Sequence, residues 1–405
     1  MSDTPKPALP LGFRWASTTA HIKASGKPDV ALAVCESGAT AAAMFTRNQV
    51  VAAPVTIGRK HLAATGGKVT AVLVNAGNAN CATGPSGIDA CQKSCIAAAN
   101  EFGCVFDEIF PSSTGIIGVP LPVEKLIAAI PSAKAALGSS QTHAEAFATA
   151  ILTTDTKLKV AHESFEISGK QVNLFGCAKG AGMIGPQLGP PHATMLVYLF
   201  TDLAACSEHL QAMLEKAVDT SFNAISIDGD TSTNDTVLLL ASGQSGVTAQ
   251  STTVPAFEAA LRRICDSLAH AIIDDGEGVT HVVTLEITGA KTEADAKLIA
   301  RSIAHSPLCK TAWSSGDPNW GRILAAAGYA GVAFDPANVT IDIGGLRVFD
   351  HGTRSASYDE AATHTAMLAR EYTIALDLGE GEARARFLTC DLTKEYVSIN
   401  ADYST

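Results

Sequence analysis

Three prolines and four glycines fall between Lys179 and Thr194, and this stretch limits the fold more than any other part of the chain. It reads Lys179-Gly180-Ala181-Gly182-Met183-Ile184-Gly185-Pro186-Gln187-Leu188-Gly189-Pro190-Pro191-His192-Ala193-Thr194. Gly180, Gly182 and Gly185 have the G-x-G-x-x-G spacing of a dinucleotide loop, which needs a helix to begin there so that its amide end faces a pyrophosphate. Pro186, Gly189, Pro190 and Pro191 forbid such a helix, so a nicotinamide-dependent oxidoreductase is disfavoured. The segment is a loop feeding an apolar strand, Met195 to Phe200, with Thr194 at its first position.

Other short β-branched or apolar runs read as strands: 69–74, 236–240, 281–287 and 339–343. Between them, Phe257, Leu261, Ile264, Leu268 and Ile272 recur at three and four residues, one face of a helix. A second helix is predicted to start after Thr292, capped by its hydroxyl with Asp295 in capping-box position, and to bury Leu298, Ile299 and Ile303. Irregular alternation of the two periods predicts an α/β layered sandwich and argues against a barrel. The loop Asp274-Asp275-Gly276-Glu277-Gly278 suggests a boundary near residue 280, dividing a main domain, 1–280, from a smaller C-terminal α/β domain, 281–405.

A net charge of −11 leaves no basic footprint for nucleic acid or an anionic membrane, so a small-molecule substrate is expected. The chain opens without a secretory or transit pattern, and no apolar run approaches 18 residues, so a cytoplasmic protein is expected. Ten cysteines are scattered among small apolar residues and read as reduced core side chains. Cys91 and Cys95 can share a helix face, but no second pair follows at zinc-ligand spacing. Asp228-Gly229-Asp230-Thr231-Ser232 begins like a calcium loop and then fails, because Thr233 takes the place of the turn glycine and Leu239 that of the bidentate glutamate. No metal and no cofactor are expected.

Thr194 admits a chemical reading beside the structural one. Breaking the Ala193–Thr194 peptide would free an α-amine of pKa about 7.7–8.0 next to its own hydroxyl, giving nucleophile and base in one residue. Taken with Asn75-Ala76-Gly77-Asn78-Ala79-Asn80, Ser113-Thr114-Gly115-Ile116-Ile117-Gly118, Thr153-Thr154-Asp155-Thr156, residues 227–236, Asp275-Gly276-Glu277-Gly278, Asp317-Pro318-Asn319-Trp320-Gly321-Arg322 and the terminal 399–405, the loop resembles the ornithine acetyltransferase family, also called bifunctional glutamate N-acetyltransferase. The motifs are collinear and span almost the whole chain.

The resemblance implies a self-processing, N-terminal-nucleophile-like sandwich cut into an α chain, 1–193, and a β chain, 194–405, assembled as α2β2. It implies Thr194 as nucleophile, Thr114 and Gly115 as oxyanion hole, and Thr153, Lys179, Thr194, Glu277, Asn400 and Thr405 as substrate contacts. The implied reaction moves acetyl from N-acetylornithine to glutamate in arginine biosynthesis, with acetyl-CoA as a further acetyl source. The runner-up is an N-terminal-nucleophile amidohydrolase or aminopeptidase on a related scaffold. One departure is visible: the family's short Pro-Asn-Met-Ala link before the threonine is here the longer Gln187-Leu188-Gly189-Pro190-Pro191-His192-Ala193. An uncleaved scaffold is therefore a third alternative. His192, on the departing side of the cut, reads as a loop residue.

Overall fold

The computed structural model describes residues 8–167, 169–186 and 195–402. Among them, eight strands form one mixed sheet. Its main path runs β4 (Ile109–Ile116), β3 (Lys68–Asn78), β2 (Val30–Phe45), β9 (Thr236–Ala241), β7 (Leu196–Thr201), β6 (Lys170–Lys179) and β5 (Lys159–Ile167), with β1 (Arg14–Thr18) paired to β2. A second sheet of seven strands runs β13 (Thr353–Arg354), β12 (Leu346–Asp350), β11 (Thr340–Ile343), β14 (Glu371–Asp377), β10 (Val282–Ala290), β15 (Ala383–Cys390) and β8 (Ile225–Ser226). The chain is thus a layered α/β structure, as the alternating periods predicted.

All five predicted strands and both predicted helices are present. The periodic run at 257–272 lies in the helix Val254–Asp274, whose Phe257, Leu261, Ile264, Leu268 and Ile272 are buried. That helix covers β5 and β6 and also meets β15 of the second sheet, so one apolar cluster holds Leu261 and Leu268 together with Leu388 and Cys390. Each such side chain removed from water stabilises by about 1.5–3 kcal/mol. The opposite face of the first sheet packs Trp15, Phe147, Phe175 and Phe200 edge to face. In the second sheet, the helix Glu293–Ala304 begins where expected, with the Thr292 hydroxyl accepting from the Asp295 amide at 3.1 Å. It buries Ile299 and Ile303, but Leu298, expected on the same face, is exposed.

β7 is central. It pairs antiparallel with β6, Lys179 opposite Leu196, and parallel with β9, Leu196 opposite Thr236. β7 and β9 are buried along their whole length, which is why both read as continuous apolar runs. No helix among the described residues is long and apolar enough to cross a membrane.

Candidate functional site

Ala193, Thr194, His192 and Thr405 lie outside the described residues. Met195 is described: it is buried, and its carbonyl accepts from the Thr236 amide at 2.7 Å. The start of β7 is therefore fixed between Lys179 on one side and the 234–236 segment on the other.

Lys179 closes β6 and is itself buried. Its Nζ lies 4.0 Å from Asp155 Oδ2. Asp155 is the hub of a buried network: Oδ1 receives Lys159 Nζ at 2.7 Å and the Gly180 amide at 2.6 Å, while Oδ2 receives the Thr153 amide at 3.0 Å. Lys159 also pairs with Asp275, which accepts from the Thr156 and Lys157 amides at 3.0 and 3.1 Å. Burial alone would raise the Asp155 pKa, but Lys179, Lys159 and the Gly180 amide more than offset it and hold the carboxyl at about 2. Thr153 and Lys179 thus come together around one carboxylate.

Glu277 approaches the same loop from the other side. Its amide donates to Ala181 O at 2.9 Å, and its Oε2 accepts from Asn400 Nδ2 at 2.9 Å. The carboxylate lies close over Gly182, where a Cβ would meet Oε2 at 2.5 Å and push the Glu277 side chain aside. The turn itself is held by Asp228, which accepts from the Met183 and Ile184 amides at 2.7 and 2.9 Å. With the Thr231 hydroxyl donating to Gly185 O at 2.9 Å, the 228–232 segment is a clamp on the loop.

Thr114 and Gly115 end β4, opposite Ala76 and Gly77 of the parallel β3. Gly115 has φ +132°, and a Cβ there would overlap the Gly77 carbonyl carbon and reach 2.5 Å from the Asn78 nitrogen. Two asparagines fix this end. Asn75 Oδ1 accepts from Ser113 Oγ at 2.6 Å, and Asn234 Nδ2 donates to Ser113 O at 2.8 Å and Ala79 O at 2.6 Å. Asn234 ties the Thr114-Gly115 turn to the entry of β9, and so to Met195.

Two residues escaped the sequence reading. Lys23 lies against Gly77, and its Nζ donates to Pro28 O at 2.9 Å and Ala150 O at 2.8 Å. Burial lowers its pKa to about 8, with Asp29 opposing and Lys179 adding to the fall. Asp235 is buried beside Met195's partner Thr236, and its Oδ1 has no hydrogen-bond partner among the described residues. Burial raises its pKa well above the carboxylate range, with Lys179 opposing and Asp228 adding to the rise. The local signal for either was weak, because their neighbours are remote in sequence.

A carboxyl whose folded pKa is raised takes up a proton on folding, so its contribution is full below the unfolded pKa of about 3.9 and falls as pH rises. Asp235→Asn is expected to flatten the stability profile above pH 4 and to raise stability at pH 8 by roughly 1 kcal/mol or more, one pKa unit being worth about 1.4 kcal/mol. Urea unfolding at pH 5 and pH 8 measures this; equal pH slopes in variant and wild type would contradict it.

Two clefts, of about 550 and 460 Å³, lie elsewhere and contain none of the residues expected from sequence. The converging polar groups, rather than cleft size, mark the candidate site.

A protein of Methylococcus capsulatus named arginine biosynthesis bifunctional protein ArgJ is 44% identical over 398 residues, covering 97% of this chain and 95% of its own length. One of the same name in Nitratidesulfovibrio vulgaris is 40% identical over 396 residues, covering 98% and 99%. The crystal structure of the protein of that name from Bacillus halodurans is 35% identical over 51% of this chain and 98% of the crystallised chain, with a TM-score of 0.49. The model of the ArgJ family matches residues 14–405, and the chain belongs to that family.

Proposed function

We propose that the chain is a glutamate N-acetyltransferase of arginine biosynthesis, moving acetyl from N-acetylornithine to glutamate through an ester on Thr194, and that it also acetylates glutamate from acetyl-CoA. The observation that carries the site assignment is the placement of a cation, Lys179, and an anion, Glu277, on either side of the Gly180–Gly182 turn, next to the strand that follows Thr194. A zwitterionic amino acid needs that pair, one charge for its carboxylate and one for its ammonium end. The protein names of its relatives agree with arginine biosynthesis and with two activities.

Self-cleavage at Ala193–Thr194 frees the α-amine that serves as base. Thr194 Oγ adds to the acetyl carbonyl of N-acetylornithine while the amine takes its proton. Thr114 and Gly115 donate to the resulting oxyanion, uncharged groups that need not reorganise as charge develops. The C–N bond then breaks, the proton passes to the departing ornithine nitrogen, and the acetyl group stays on Oγ. Glutamate's amine attacks the ester, N-acetylglutamate leaves, and Oγ recovers its proton. Thr153, Asn400 and Thr405 complete the substrate contacts. The two products of cleavage, 1–193 and 194–405, assemble as α2β2 in the cytoplasm, without a cofactor.

The test is exchange of acetyl-labelled N-acetylornithine with and without glutamate. Expected are parallel double-reciprocal lines, label trapped on the fragment opening Thr-Met-Leu, and release governed by glutamate. Release to water at the same rate without glutamate would make the protein a hydrolase. Thr114→Val, which removes the hydroxyl at nearly constant volume, tests the oxyanion assignment: a fall of about a hundredfold or more in kcat is expected with little change in KM. A rise in KM alone would remove Thr114 from that role.

A further inference from the structure

A second set of charged groups lies apart from this site. Arg47, Asp219, Asn223, Lys297, Arg301 and Arg386 line a cavity of about 150 Å³. It adjoins the 460 Å³ cleft, with which it shares Asp219, Lys297 and Arg386. Lys297 is already neutralised, its Nζ lying 2.7 Å from both Asp219 and Glu293. Arg301, half-buried in the last turn of the helix Glu293–Ala304, has no ion pair or side-chain hydrogen bond among the described residues, and neither has Arg47.

Both guanidiniums line the cavity, whose one carboxylate among the described residues, Asp219, is paired with Lys297. Burial lowers the Arg301 pKa and Arg47 lowers it further. One turn on, burial, Arg301 and Lys310 push His305 down to about 4, and its buried Nε2 has no hydrogen-bond partner among the described residues. Like charges brought together in a part-buried setting repel, and an anion that bridges them relieves this. Guanidinium forks suit the tetrahedral, multiply charged oxygens of phosphate.

The cavity is one loop away from the acetyl-transfer site. The His305 ring lies where a Cβ on Gly229 would reach it at 3.4 Å, and Gly229 packs on Gly185 of the Lys179–Pro186 loop, where a Cβ would clash with the Gly229 backbone. On the other side, Thr46 donates to Ser232 O and Asn48 Nδ2 to Thr231 O at 2.8 Å, placing Arg47 on the same clamp. A ligand holding its phosphates here can extend an attached arm past residues 229–231 toward that loop.

We propose that Arg47 and Arg301 form a phosphate-binding site for the nucleotide end of an acyl-CoA, with Arg386 lining both this cavity and the adjoining cleft. The choice of ligand rests on the reading that acetyl-CoA is an acetyl source; the phosphate chemistry does not.

Two measurements test it, both on the full protein. In calorimetry, CoA and inorganic phosphate are titrated separately into wild type, Arg301→Gln and the Arg47→Gln/Arg301→Gln double variant. In steady state, KM for acetyl-CoA and kcat/KM for N-acetylornithine are compared across the same proteins. Expected are CoA binding that weakens roughly tenfold or more in the double variant, as loss of charge-assisted hydrogen bonds implies, and a parallel rise in KM for acetyl-CoA. The N-acetylornithine reaction stays within about twofold, showing that the fold is intact. CoA affinity and KM unchanged in the variants overturns the site. Arginine-dependent binding of phosphate as tight as that of CoA, with KM for acetyl-CoA unchanged, overturns the nucleotide assignment in favour of free phosphate. Failure of the wild type to transfer acetyl at all strikes the functional reading instead and leaves the binding result standing.

Discussion

Thr194→Ala is expected to remain one chain of 405 residues and to lose acetyl transfer by roughly 10⁴-fold or more, the scale seen when a covalent nucleophile is removed. Alanine cannot attack the Ala193 carbonyl, so the base is never released, and it cannot hold the acetyl ester. The change is otherwise local. Met195 is already fixed by Thr236, and Lys179 by its pairing with Leu196, so the strand has no freedom to shift. Thr194→Ser retains a hydroxyl and should still be cut, with slower transfer. Intact-mass analysis reads both variants directly. Two fragments from Thr194→Ala would remove the assigned nucleophile.

Lys159→Met should have the largest effect on stability. Lys159 is 1% exposed and pairs with both Asp155 and Asp275, so its loss leaves two buried carboxylates short of their shared cation. Breaking a buried pair in this way costs about 3–5 kcal/mol, a large part of a typical 5–15 kcal/mol. The effect has a pH signature. Asp155 is held at about 2 in the folded protein, below its unfolded value near 3.9, so it contributes stability above that value and loses it as pH falls toward 2. Without Lys159 one of its cations is gone, and acid unfolding should begin at higher pH. Adding Asp275→Asn to Lys159→Met should restore part of the loss. Urea unfolding at pH 7 and pH 4 measures both; a loss under about 1 kcal/mol would show that Lys159 holds the network only weakly.

Much of the architecture was legible because strand and helix periods are local. β7 and β9 were readable as unbroken apolar runs, and the 254–274 helix as a stripe at three and four residues. β2 was not read as a strand, since its alanines and Gly38 carry little strand preference; its place is set by β1, β3 and β9 around it. The candidate site divided the same way. Lys179, Glu277 and Thr114 were named only through the family resemblance, whereas the partners of Asp275 in the buried network lie 116 and 119 positions away in sequence. Nothing in the spacing of Asp155 and Asp275 announces that they share one lysine. Asp235 was hidden by its neighbours, because a polar run reads as loop until the strand after it is seen to carry the carboxyl inside.

The position of β7 has a mechanical consequence. A cut between 193 and 194 would fall between β6 and β7, yet those strands stay zipped together over six paired residues, and β2 and β9 are likewise matched across the break over six. Two strands of the second product, β9 and β7, would sit inside one sheet between β2 and β6 of the first and share its packed faces. The halves would therefore be interlaced instead of merely docked, travelling as one body through gel filtration and parting only in denaturant.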